Sequence, residues 1–196
     1  NDSTEIGMVI SQPGFDPYER DDGLHPNAVL KRRGSKLPYN AWLKQQGYDG
    51  ENPWNDYANS AEGPDGELLS GWYLRNSYLP ARIKEEHSET AYMTMRARDF
   101  IQETGEVPWL CHLSYIKPHW PYMAPAPYHD MYGPNTFQPI IRDSSEKINP
   151  HPVYNAFMEM EVSQTFSTAG VRETVLPAYM GTVSYTHLTL PTMCVV

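Results

Sequence analysis

Apolar and polar positions repeat most regularly in the stretch SETAYMTMRARDFIQETG, residues 88–105. The apolar residues that recur with the i, i+4, i+7, i+8 spacing are Met93, Ala97, Phe100 and Ile101. This spacing places them on one face of a helix. Ser88 is a suitable N-cap, Glu89 suits the first turn, and Gly105 suits the C-terminal end. The pattern therefore predicts a helix over 88–105 with one buried face.

The next segment, VPWLCHLSYI at 107–116, is apolar or aromatic at most positions. A nearly continuous apolar run is typical of a strand that is covered on both faces. Its histidine, His112, alternates with apolar residues and is interpreted as a core histidine. A helix followed by a central strand is half of an α/β unit, so we predict an α/β fold.

Residues 11–80 are rich in turn signals and are predicted to form a loop-rich insertion. The turn motifs are QPGFDP, DDG, YDGENP and EGPDG. A short helix is predicted at 38–46, ending at Gly47. We expect the aromatic residues to pin these loops to a core, because aromatics bury a large area each. They are Trp42, Trp54, Tyr57, Trp72 and Tyr73. Further helices are predicted near 153–166 and after Gly170.

The formal net charge of the 196-residue chain is -9, which argues against a nucleic-acid or anionic-membrane surface. No apolar run reaches the ~20 residues that a membrane span needs. Cys111 and Cys194 make no disulfide framework. The chain opens NDSTEIG without a Met, so we expect the true N-terminus to be missing. Location therefore stays open between cytoplasm and periplasm, and a homo-oligomer is left open.

The C-terminal stretch VSYTHLTLPT, at 183–192, resembles a translated sequencing adapter. The alternative is a natural Thr-rich tail. We predict that residues 182–196 are non-native and that residues 1–181 are an internal fragment of a longer catalytic domain.

The loop after the predicted strand reads YIKPHWPY and combines a cation, a histidine and two rigid prolines. Ligands of open α/β sheets bind beyond the carboxyl ends of strands, where Lys117 and His119 are expected. Pro118 and Pro121 fix φ on either side of the histidine. The pair suits an anionic sulfate or phosphoryl group, so both are candidate substrate-binding residues and His119 is a candidate catalytic residue.

Several stretches in this order resemble the sulfatase and phosphonate monoester hydrolase family of the alkaline phosphatase superfamily. EEHSETAYMTMRARDFI resembles the family's helix, and PWLCHLSYIKPHWPYMAPAPYHDMY its strand and Pro-His-x-Pro substrate loop, so that 84–133 forms a helix-strand-loop unit. QPGFDPYERDDGLHP, YNAWLKQQGYDGENPW and YMG are also similar.

The resemblance implies a three-layer α/β/α sandwich, present here in part. It also implies hydrolysis of a sulfate ester, phosphonate monoester or phosphodiester, a small anionic substrate. The family uses a formylglycine nucleophile and a divalent metal ion such as Ca, Mn or Zn. His119 matches the histidine that binds the transferred group and protonates the leaving oxygen; Lys117 is carried over as a substrate-binding residue.

The sequence also departs from the family pattern. It contains no C/S-x-P-x-R motif, no N-terminal aspartate pair and no later Asp-His or Asp-Asn metal motif. We therefore expect the nucleophile and metal ligands to lie outside this chain. We also expect the chain alone to bind no metal and to be inactive.

Structural interpretations compete with the functional ones at several residues. His119 is alternatively a cap for backbone carbonyls, and Lys117 a solvated flank. His129 is interpreted as part of a packed turn and His87 as structural. A different function, a carbohydrate- or peptide-binding module, is favoured if Trp42, Trp54 and Trp72 lie exposed on one flat face. Their burial, with His119 in an open cleft, favours the hydrolase.

Overall fold

The computed structural model describes residues 19, 38–139, 141 and 143–193. Its α-helices are α1 (Pro38–Gln45), α2 (Glu89–Thr104), α3 (Pro152–Glu159), α4 (Glu161–Ser167) and α5 (Ala169–Met193). Its strands are β1 (Ser60–Glu62) and β2 (Leu68–Ser70). A short π-helix spans Trp54–Ala58, and 3-10 turns span Leu74–Asn76, Glu85–His87, Tyr128–Asp130 and Ser144–Lys147. The predicted turns at 12–17 and 21–23, and Cys194, lie outside the described residues.

The predicted helix over 88–105 is confirmed as α2. The Ser88 hydroxyl accepts a hydrogen bond from the amide of Ala91 at 3.2 Å, as expected of an N-cap. Gly105 follows with φ of 60°, a backbone conformation that favours glycine. The predicted buried face is wrong in part. The fully buried positions cluster in the first turns of the helix, and Ile101 is exposed.

The segment 107–116 is not a strand but an irregular chain that is largely exposed to solvent. Val107 keeps 64% and Leu110 77% of their surface accessible. A strand requires a hydrogen-bonded neighbour, and the described residues provide one sheet, the antiparallel pair β1–β2. The strand prediction is wrong for this structure, and the three-layer sandwich stays a prediction. Among the described residues, no strand covers the outer face of α2.

The hydrophobic core lies among α1, the π-helix, β1 and the first turn of α2. Its members are Tyr39, Leu43, Trp54, Ala58, Ala61, Ala81, Ile83, Tyr92 and Met123. Trp42, Tyr57 and Trp72 are partly buried against it. The prediction that aromatics pin the loops of this region to a core is therefore confirmed for the described residues, with the exception of Tyr73, which is exposed.

The hairpin β1–β2 brings Ser60 opposite Ser70 and Glu62 opposite Leu68. Its turn contains Gly66 at φ 79°, which the predicted EGPDG turn signal supplies. The loop after β2 then returns along the core. This hairpin positions Asn59, the residue just before β1, at the centre of the packed region.

The C-terminal part of the chain is helical. The helix predicted near 153–166 is present as two short helices, α3 and α4, whose apolar side chains are mostly exposed. The helix predicted after Gly170 is confirmed as α5, which continues through 182–193. Tyr185 lies against the Ser88 hydroxyl, and Thr182 is buried. The non-native origin of 182–196 stays a prediction. Among the described residues, no helix has the length and apolar character to span a membrane.

Candidate functional site

The loop 117–122 leaves the exposed segment 107–116 and enters the core at Met123. Its peptide bonds before Pro118 and Pro121 are cis. The amide of His119 donates to the Ile116 carbonyl at 2.8 Å, and the amide of Met123 donates to the Pro121 carbonyl at 2.9 Å. The loop is therefore closed by backbone hydrogen bonds on both sides of His119.

His119 is exposed to solvent. Its Nδ1 lies 2.6 Å from the Trp120 carbonyl oxygen. Because a carbonyl only accepts hydrogen bonds, Nδ1 carries the proton in this contact. Nε2 is then the atom that the imidazole presents to a ligand. The alternative that His119 caps a backbone carbonyl is therefore correct for Nδ1. Nε2 is left to bind a ligand or to transfer a proton.

Trp120 packs the loop 117–122 against Trp72, which follows β2. Its ring meets that of Trp72 edge-on, with centroids 4.9 Å apart. The Trp72 indole donates to the Asn55 side chain at 3.0 Å. Aromatic pairs in this geometry contribute about 0.5–1.5 kcal/mol beyond their buried area. The contact holds the backbone on the C-terminal side of His119.

Lys117 points the opposite way, into the protein, and keeps only 9% of its surface exposed. Its Nζ donates to the Asn59 side-chain oxygen at 2.9 Å and to the Pro121 carbonyl at 2.7 Å. The alternative that Lys117 is a solvated flank is wrong. The structure separates the two candidate residues, with one amine bound inside the protein and one imidazole facing outward.

Two residues that sequence reasoning did not assign to the site surround the lysine. Asn59 is fully buried, and its side-chain NH2 donates to the Trp54 carbonyl at 3.1 Å. Glu89 is also buried, and the Trp54 indole donates to its carboxylate at 3.3 Å. The sequence offered one signal for Glu89, its place in the first turn of α2. Nothing in the local pattern marked Asn59.

Burial lowers the pKa of the Lys117 ammonium to about 8, because the charged form loses its water shell. The negative charge of Glu89 favours the charged form and opposes this shift without cancelling it. Most of the amine is therefore still protonated at neutral pH. It acts there as a buried cation with three hydrogen-bond donors.

A small cavity lies beside Lys117, between the π-helix and α2. Its lining residues are Ala58, Ile83, Ser88, Glu89, Thr90, Lys117, Met123, Pro125 and Tyr185. A cavity of about 10 Å³ holds about one water molecule. A substrate does not fit there, so any ligand of this loop approaches from the solvent side, where His119 lies.

The remaining histidines have different environments. His87 is structural, as predicted: its Nδ1 lies 3.0 Å from the Tyr48 hydroxyl, and its ring packs edge-on against Trp42. His129 lies in the 3-10 turn Tyr128–Asp130, in agreement with the predicted packed turn. The interpretation of His112 as a core histidine is wrong, because His112 lies exposed on the irregular segment.

Three comparisons with known proteins bear on this chain. No protein-family model matches it. It is 32% identical over 82 residues to the multifunctional alkaline phosphatase superfamily protein PehA of Trinickia caryophylli. That alignment covers 41% of this chain and 16% of PehA, so the chain matches less than a fifth of its relative.

The fold is similar to that of the phosphonate monoester hydrolase SpPMH from Silicibacter pomeroyi, with a TM-score of 0.60 and 23% sequence identity. The superposition covers 79% of this chain and 31% of that one. At this identity the likeness concerns the fold alone. The predicted resemblance to the alkaline phosphatase superfamily is confirmed over the 82 residues aligned with PehA, and the fold of this chain is similar to that of a phosphonate monoester hydrolase.

Proposed function

We propose that this chain contributes one wall of the active site of a hydrolase that cleaves phosphonate monoesters, phosphodiesters or sulfate esters. The observation that carries the proposal is the exposed His119, whose Nδ1 is held by the Trp120 carbonyl at 2.6 Å, so that Nε2 is the nitrogen left to meet a ligand. The two similar proteins, an alkaline phosphatase superfamily protein and a phosphonate monoester hydrolase, support the same reaction class.

In this proposal His119 acts on the leaving group. When the bond from phosphorus or sulfur to the leaving oxygen breaks, negative charge develops on that oxygen. The Nε2–H of an imidazolium donates its proton there, while Nδ1–H stays bonded to the Trp120 carbonyl. The carbonyl holds the ring in place as the charge on the imidazole changes. The earlier prediction that Lys117 binds the substrate directly stays a prediction.

The metal ion and the formylglycine belong to the proposal for the whole protein. Within the described part of the chain, no group of three or more His, Cys, Asp or Glu side chains is placed to hold a metal ion. The described residues therefore do not fit Ca, Mn or Zn, and we assign none of their roles to a metal-dependent step. We propose that the nucleophile and metal site come from other segments.

The alternative function, a carbohydrate- or peptide-binding module, required Trp42, Trp54 and Trp72 on an exposed face. Trp54 is buried at 4% exposure, and the other two pack against the core. The condition for that module is not met. We therefore retain the hydrolase as the proposal.

The test is the substitution His119→Ala in the whole protein, with His112→Ala, an exposed histidine outside the loop, as control. We expect kcat to fall by ~10²–10⁴-fold for His119→Ala, the usual contribution of a positioned acid or base. The loss should be larger for phenyl esters than for 4-nitrophenyl esters, since a good leaving group needs less protonation. A loss under about threefold on every ester, or an equal loss in both variants, rejects the assignment.

A further inference from the structure

Lys117 and His119 share one loop, but only one of them is accessible to a ligand. The Nζ of Lys117 is engaged by the Asn59 side chain and the Pro121 carbonyl, and 9% of the residue is exposed. Direct contact with a substrate requires breaking these hydrogen bonds and moving the chain. The buried lysine therefore invites an explanation other than substrate binding.

The two hydrogen bonds of Lys117 tie the loop to the core at one point. The Pro121 carbonyl belongs to the loop, four residues after the lysine. Asn59 belongs to the packed region, where it also donates to the Trp54 carbonyl and accepts from the Gly71 amide at 2.9 Å through its own carbonyl. Lys117 thus joins the C-terminal half of the loop to a residue that two further hydrogen bonds hold in place.

This connection bears directly on His119. The carbonyl that receives its Nδ1–H belongs to Trp120, the residue immediately before Pro121. The direction of the Trp120 carbonyl follows from the orientation of the peptide that precedes Pro121, and proline limits rotation at φ. A fixed Pro121 carbonyl therefore restricts the Trp120 carbonyl as well.

We propose that Lys117 is a positioning residue: its ammonium holds the Pro121 carbonyl against Asn59 and so fixes the Trp120 carbonyl that orients the imidazole of His119. Glu89 provides the neighbouring negative charge that keeps the cation inside the protein. This role rests on the proposed function of His119 at an anionic ester, but it concerns how the loop is built. It is therefore tested without any measurement of activity.

The experiment is nitrogen NMR of the full 196-residue chain with ¹⁵N-labelled histidine and lysine. In the wild type, the Nδ1–H tautomer of His119 should dominate. In Lys117→Met the ratio of the two tautomers should fall about fivefold, the equivalent of one ordinary hydrogen bond. Lys44→Met removes an exposed lysine in the same way and should leave the ratio unchanged.

A second variant removes the other partner of the hydrogen bond between Lys117 and Asn59. Asn59→Leu removes the side-chain acceptor of Lys117 without altering the loop sequence, and it should shift the His119 tautomer ratio in the same direction. If both variants keep the wild-type ratio, the positioning role is rejected. The backbone amide signals of the labelled His87, just before α2, and of His129 report whether each variant retains its fold.

The wild-type protein gives a further measurement that needs no variant. Buried ammonium protons exchange slowly, so the Lys117 Nζ signal should be visible and should not move when inorganic phosphate is added. The His119 Nε2 signal should move. A phosphate-dependent shift at Lys117 Nζ instead supports direct anion binding and overturns the proposal. If His119→Ala has no effect on activity but these spectra behave as expected, only the proposed function fails.

Discussion

Two tryptophans, Trp54 in the core and Trp109 in the segment 107–116, differ strongly in their exposure to solvent. Trp54 is 4% exposed, and its indole donates to the buried Glu89. Trp109 is 46% exposed, and its ring centroid lies 6.0 Å from that of Phe100. Both lie in segments rich in aromatic residues. The difference shows that an aromatic side chain is buried only where other parts of the chain pack against it. For Trp54 these include Glu89 of α2 and the other residues of the core.

The largest difference that we expect between the two tryptophans is in their contribution to stability. We expect Trp54→Ala to lower the free energy of unfolding by about 3–5 kcal/mol, because it leaves a cavity in the core. Trp109→Ala should change it by less than about 0.5 kcal/mol. Urea unfolding of both variants, followed by circular dichroism, measures the difference. Equal losses of unfolding free energy in the two variants would contradict this difference and would mean that the segment 107–116 is packed.

A second substitution probes the close packing beneath the loop. A Cβ at Gly71 meets the side chain of Met123 and lies 2.6 Å from the Asn59 carbonyl oxygen. We expect Gly71→Ala to destabilise the protein by about 1–3 kcal/mol, since the backbone must move. Gly170→Ala is the control, because a Cβ there meets nothing within 4 Å. Thermal unfolding that ranks Gly170→Ala as the more damaging change contradicts this packing.

The smallest effect concerns pH. The pKa of Lys117 is about 8 in the folded protein, against 10.5 as its ordinary value. Between these pH values the unfolded chain binds more protons, so the contribution of Lys117 to the free energy of unfolding rises with pH. The rise should be about 1–2 kcal/mol from pH 8 to about pH 9.5, and Lys117→Met should remove it.

The measurement is a set of urea titrations across this pH range for wild type, Lys117→Met and Lys44→Met. Other groups titrate in the same window, so the difference between variants is the quantity of interest. Lys44→Met should keep the wild-type slope. If Lys117→Met keeps it too, Lys117 does not carry a lowered pKa.

Local signals predicted the parts of the structure that depend on local interactions. The Ser88 cap, the end of α2 at Gly105 and the start of α1 follow from neighbouring residues, and each is present. The apolar run 107–116 predicted a strand, but a strand depends on neighbours that the described residues do not provide. Sequence patterns indicate what a segment prefers, and its partners decide what it becomes.

In the candidate site, too, the sequence predicted local features but not the tertiary contacts. The Pro-His-Trp-Pro pattern singled out His119, which is exposed, and its role in the site stays a prediction. The expectation that Lys117 and His119 follow the carboxyl end of a strand is wrong for this structure, because 107–116 is irregular. The direction of Lys117 was not predictable, since it depends on Asn59, a residue 58 positions earlier in the chain. Glu89 shows the same limit: its helical position was readable, whereas its contact with the Trp54 indole arises from tertiary packing.

Gly71 has a consequence for how this protein can vary in evolution. Because a side chain at position 71 competes for space with Met123 and the Asn59 backbone, the two positions 71 and 123 are coupled. Relatives that carry alanine or serine at the first position should carry a smaller residue than methionine at the second. Natural variation at these two sites should therefore be correlated, although 52 positions separate them along the chain.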